Sequence, residues 1–171
     1  SKEYFGPQQI FGFEGGDYDY DGLDIVRIID EDDLQAIKEI HEEGSPYVPL
    51  ALQDAICWFL CGVACMRIWG YGKPISMLIH TSQKTDHHQN IAEAVRDWIV
   101  SKDVDEMIRR CEKVWNTETS QFTFEKFREQ YPQYDRKDEE INRYPSFEDI
   151  RKEITILLSK EPTNIPLDED D

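Results

Sequence analysis

Between residues 50 and 69, apolar side chains recur on nearly every face that a helix would present. Leu52, Ile56, Phe59, Leu60 and Val63 fall on one side; Ala51, Ala55, Trp58, Gly62, Cys65 and Trp69 cover much of the rest. The pattern predicts a helix about 30 Å long, and a helix apolar nearly all round belongs at the centre of a fold. Gly70 and Gly72 stop it. Upstream, the acidic run 30–33 can cap a helix that carries Leu34, Ile37 and Ile40 at helical spacing and ends by Gly44. Pro46 and Pro49 mark an extended lead-in to the apolar helix. Downstream, helical spacing recurs near 86–101 (Ile91, Val95, Trp98, Ile99), 103–116 (Val104, Met107, Ile108, Cys111, Val114, Trp115) and 123–131. Ser146, with Asp149 three positions on, opens a last helix carrying Phe147, Ile150, Ile154, Leu157 and Leu158.

One stretch breaks the helical period. In PISMLIHTSQKTDHHQ, residues 74–89, a short apolar run of Ile75, Met77, Leu78 and Ile79 ends in polar His80, Thr81, Ser82, Gln83 and Lys84. A new helix follows near Asp86. Strand, polar turn and helix make the half-unit of α/β domains, whose ligands sit beyond the carboxyl ends of strands. Residues 23–29 (LDIVRII) alternate weakly and predict a second short strand. Residues 1–24 read as an extended segment anchored by Tyr4, Phe5, Ile10, Phe11 and Phe13. The fold class expected is therefore α/β but helix-dominated, with several helices around one or two short strands. A lone buried strand leaves costly unpaired backbone groups, so the remaining sheet is expected outside the chain.

A chain of 171 residues is expected to form one domain with a real core. That domain spans 1–161, with an aromatic and acidic leading segment (1–45), a helical core (46–161) and an acidic tail or linker from 162 to 171. Ser1 stands where an initiator Met would be expected, which suggests a processed or excised piece. The longest apolar run, 56–66, is shorter than the roughly 20 residues of a spanning helix, and no signal-peptide pattern opens the chain. The expectation is a cytoplasmic protein without a membrane partner. A formal charge of −17 argues against an autonomous nucleic-acid binder, but not against a DNA-handling assembly with its basic surface elsewhere.

Several constellations invite chemistry. Asp17, Asp19, Asp21 and Gly22 imitate the first half of a calcium loop. The bidentate acid at position twelve is replaced by Ile28, so an acidic surface loop is the reading preferred. Cys57, Cys61 and Cys65 recur every four residues on the apolar helix and drift round its face. They cannot converge on one metal and read as small core residues, reduced like Cys111. His80 with Ser82 could suggest nucleophilic catalysis, yet neither a nucleophile elbow nor oxyanion glycines surround the pair. Trp58, Trp69, Trp98 and Trp115 occupy helical apolar positions and read as core rather than base-stacking groups. No phosphate-binding glycine motif occurs.

PLALQDAICWFLCGVACMRIWGYGKPISMLIHTSQKTDHHQNI, residues 49–91, resembles the centre of the Z1 domain family. Upstream, YFGPQQIFGF and IVRIIDEDD resemble that family's opening region; the later helices are similar only in kind. The resemblance implies a domain of a large bacterial protein with a superfamily II helicase-like ATPase, often described as an endonuclease in restriction or phage defence. It implies that the Walker motifs, ATP and Mg belong to the rest of the parent polypeptide, with no cofactor in this chain. It also implies that the strand ending at His80 opens the second, RecA-like motor lobe. The turn after it, with His80, Thr81, Ser82 and Lys84, would then touch the nucleic-acid backbone. This chain departs from the family pattern in carrying Gln83 where a basic residue usually follows the Ser. Two readings compete: an acidic helical protein-interaction module without a nucleic-acid role, and a metal-dependent hydrolase using His80, His87 or His88.

Overall fold

The computed structural model describes residues 27–130 and 143–159. Six helices account for most of them: α1 (Glu31–Glu43), α2 (Leu50–Ile68), α3 (Thr85–Ser101), α4 (Val104–Gln121), α5 (Phe124–Gln130) and α6 (Phe147–Ser159). The leading segment, the calcium-like loop at Asp17 to Gly22 and the acidic tail lie outside the described residues.

Local chemistry sets the helix ends. The Asp30 carboxylate accepts from the Asp33 amide at 2.8 Å and starts α1. Gly44, at φ 66°, stops it in a conformation that a side chain would resist. Pro49 precedes α2 and brings no side-chain cap; instead Asp33 of α1 accepts from the Ala51 amide at 3.3 Å. Asp103 caps α4 by accepting from the Asp105 and Glu106 amides. Ser146 accepts from the Asp149 amide and donates to its carboxylate at 2.6 Å, as the spacing of the pair predicts.

Helix α2 packs against α4 and α6, α4 packs against α6, and α1 lies along α3. The core gathers Ile40, Val48, Ile56, Cys57, Cys61, Cys111, Ile150 and Ile154. Cys57, Cys61 and Ala64 are fully buried on one face of α2, where small side chains let α4 approach. The face carrying Ala55, Trp58 and Phe59 is covered less completely than an all-round apolar pattern predicts. Trp98 and Trp115 are buried; Trp58 stacks obliquely on Trp115 at 5.7 Å, and Trp69 meets Phe124 edge-on at 6.0 Å. The tryptophans therefore pack, as their spacing predicts.

The α/β expectation is corrected. Among the described residues there is no strand. Residues 74–80 are extended and alternate as a strand would: Ile75, Met77 and Ile79 are half-buried, whereas Ser76, Leu78 and His80 are exposed. No described residue hydrogen-bonds to their backbone, so no ladder forms among the described residues. Of the other expected strand, 23–29, residues 23–26 lie outside the described residues. Its last residues, 27–29, are irregular and lie over α2 and α4, where Arg27 pairs with Glu118 and donates to Gln121 at 3.1 Å. Period-two burial arises here from an extended chain laid on a helical core, and a RecA-like sheet finds no support.

Helix α2 is also longer than the apolar run 56–66. Its 19 residues are long and apolar enough, by length and composition, to cross a membrane. Its packing against α4 and α6, its buried Gln53 and its Asp54–Arg110 pair at 2.8 Å describe a core helix.

Ile150 is fully buried between α6 and the α2–α4 pair. Ile150→Ala is expected to cost about 2–5 kcal/mol, read as a lowered urea midpoint; a change within about 0.5 kcal/mol would contradict this core.

Candidate functional site

The four histidines of the chain meet at one place. His41 comes from the last turn of α1, His80 from the end of the extended segment, and His87 and His88 from the first turn of α3. The turn 80–84 threads among them.

His41 is the innermost, with 9% of its surface exposed. Its Nε2 lies 2.9 Å from the Thr81 hydroxyl, and its ring stacks on His87 at 4.5 Å with 15° between planes. The Asn90 amide donates to the His41 carbonyl at 2.9 Å, satisfying an end carbonyl of α1 from α3. Ser82 Oγ accepts from the Lys84 amide at 3.2 Å and lies 3.0 Å from His87 Nδ1. His88 Nε2 donates to the Ser82 carbonyl, which fixes the proton of a neutral His88 on Nε2. The His88 ring also tilts against His80 at 5.6 Å.

Thus the turn brings His80, Thr81, Ser82 and Lys84 together, but not as four equal ligand contacts. The Thr81 and Ser82 hydroxyls are engaged by His41 and His87 and hold the turn in place. His80, Lys84 and His88 are exposed beside the first turn of α3. That end of the helix presents unsatisfied amides, because Lys84 at the cap position provides no side-chain bond. Sequence reasoning weighed His80, His87 and His88 but missed His41 and Asn90. The only local sign of His41 was a histidine beside the core residue Ile40 in the last turn of an amphipathic helix.

Burial holds the His41 pKa below its ordinary value near 6.5; charge on His87 or His88 lowers it further, and Glu42 opposes them. His41 is thereby kept neutral at neutral pH, as its close stacking on a second imidazole requires. Ser82 and His87 are within proton-transfer reach, yet no described carboxylate bonds His87 to orient it as a base. Among the described residues, no three His, Cys, Asp or Glu side chains are set to hold a metal ion.

The thiols belong to the packing. Cys57 Sγ donates to Met107 Sδ at 3.8 Å, Cys111 Sγ to the Cys57 carbonyl at 3.9 Å and Cys61 Sγ to the Cys111 carbonyl at 3.6 Å. Burial pushes the Cys65 thiol up to about 12, so it stays protonated and unreactive at neutral pH.

A family model for the Z1 domain matches residues 51–166, a span that holds the turn, His87, His88 and α2 to α6. The chain belongs to the Z1 domain family. No curated protein and no solved structure matches it. The Z1 match covers the later helices, and it starts beyond His41, so one member of the histidine cluster lies outside the matched region.

This Z1 domain has one further charge pattern along its sequence. Residues 55–85 contain no Asp or Glu, although the chain has 36 of them in 171 residues. Arg67, Lys73 and Lys84 lie within that stretch.

The His41 shift has a pH consequence. The folded pKa is below the unfolded one, so His41 contributes its full stability above about pH 6.5 and loses it as pH falls through the folded value. The urea midpoint is expected to fall between about pH 7 and about pH 5, and His41→Gln to flatten that fall. An equal slope in the variant would contradict the assignment.

Proposed function

We propose that this Z1 domain is part of a bacterial DNA-processing, helicase-like ATPase and places the turn 80–84 against a nucleic-acid backbone. ATP and Mg are then bound by the rest of the parent polypeptide, which is also the domain's main partner. The observation that carries the reading is the prebuilt turn: its hydroxyls are tied inward to His41 and His87, leaving Lys84, His80 and His88 outward at a helix N-terminus. Backbone amides and a Lys at a helix start are groups that suit phosphate. The acid-free run 55–85, which ends just before Asp86 in the first turn of α3, also supports it, since a polyanion is repelled from most of a chain with charge −17. Under this reading Thr81 and Ser82 are positioning residues, and Lys84 and His80 touch the phosphates. An endonuclease activity, or a role in restriction or phage defence, would belong to the parent protein.

In the full ATP-hydrolysing protein, Lys84→Ala is expected to weaken DNA binding similarly for all sequences. It should also reduce the slope of log affinity against log salt by about 1. DNA-stimulated hydrolysis should fall in both Lys84→Ala and His80→Ala while basal hydrolysis persists. Unchanged affinity, salt slope and stimulation in both variants would refute the contact.

A further inference from the structure

Each hydroxyl of the turn is tied to its own imidazole, and the two imidazoles lie against each other. Thr81 Oγ1 is 2.9 Å from His41 Nε2, Ser82 Oγ is 3.0 Å from His87 Nδ1, and the two rings stack at 4.5 Å. Two charged rings repel each other strongly in such a partly desolvated stack. His87 and His88 of α3 face His41 and oppose a proton on it, as does burial; Glu42 of its own helix favours one. Glu42 is exposed, so its attraction is screened. Asp86 and Lys84, at the start of α3, are exposed as well.

What yields when the stack is charged is the turn. Helices α1 and α3 pack on each other and bury Ile40, Ile91 and Ala94, none of them titratable. Residues 80–83 have no backbone–backbone hydrogen bond among the described residues. The side chains of His41, His87 and His88 and the Lys84 amide hold them. A segment held in this way opens before a packed helix pair does.

We propose that the turn 80–84 is a proton-operated latch: the stacked pair His41 and His87 holds it against α3 at neutral pH, and charging of that stack releases it together with the phosphate contact. The regulation rests on the nucleic-acid reading of the turn given above; the latch itself does not. Two effects of acid then oppose each other. Acid puts charge on histidines, and on outward His80 and His88 that charge alone would strengthen a phosphate contact. On His41 it undoes the array that presents them. Affinity is therefore greatest near neutrality and falls in mild acid, the opposite of what added positive charge alone predicts.

The latch is read with a nitroxide on Gln83→Cys, an exposed position; the four native thiols are buried and stay unlabelled. In the full chain the label is expected to be restrained at about pH 7.5 and to gain mobility by about pH 5, with helical circular dichroism unchanged. His41→Gln, which keeps a hydrogen-bonding group for Thr81, should hold the label restrained across that range. His87→Gln, the second variant, removes the facing charge and should shrink the mobile fraction in acid. Unchanged mobility in the unaltered chain, a gain that both variants keep, or a gain that comes only with loss of helix would overturn the latch. In the full ATP-hydrolysing protein, affinity for a fluorescein-labelled DNA duplex should fall about fivefold or more between about pH 6.5 and about pH 5. In His41→Gln it should hold or rise. Affinity that climbs steadily with acid in the unaltered protein would overturn the regulation. Absence of DNA binding at every pH, beside an intact label transition, would refute the nucleic-acid reading and leave the latch.

Discussion

Closure of α4 and α6 onto the small-residue face of α2 is the contact on which the rest of the structure depends. Nineteen mostly apolar residues cannot be left in water, and one flank of α2 is narrow enough for close approach. Cys57, Cys61 and Ala64 are wholly buried there, with Cys57 Sγ 3.8 Å from Met107 Sδ and Cys61 directed at the Cys111 carbonyl. Larger side chains at these positions would force α4 outward and open the core around Ile150 and Ile154. The cysteines thus act through size and softness rather than through redox or metal chemistry.

The α1–α3 pair joins this core through Ile40, Ile91, Ala94 and Trp98, and a polar cluster adds to that apolar contact at the end of α1. His41, Thr81, Ser82, His87 and Asn90 join the end of α1, the turn and the start of α3 in one hydrogen-bonded and stacked cluster. That cluster turns a polar loop into a fixed one. A neutral His41 is central to it, because a charged imidazole stacked at 4.5 Å on another histidine in a partly desolvated site is unfavourable.

Most helices were legible in the chain because each carries its own evidence: apolar residues every three to four positions and a capping side chain at the start. Asp30 and Ser146 cap where expected. Helix α4 runs on to Gln121, past the last apolar position near Trp115, since its final turns are polar and pair with Arg27. The segment 74–80 was legible as extended but not as unpaired. Alternation at Ile75, Met77 and Ile79 reports which face meets the core, whereas a ladder depends on a neighbour that no local pattern specifies. The turn was likewise legible as polar and exposed. The division of labour within it was not, because Thr81 and Ser82 are claimed by histidines, one of them 40 residues away.

The central claim is that a neutral, buried-side His41 fixes the turn 80–84, leaving Lys84 and His80 outward. Its most direct test is a pH titration of the four imidazoles by heteronuclear NMR, with the Thr81 and Ser82 amides followed in the same samples. The account predicts that His41 titrates below its ordinary value and that the Thr81 amide shifts with it. Titration of His41 at or above its ordinary value of about 6.5, with the turn amides unmoved, would contradict it.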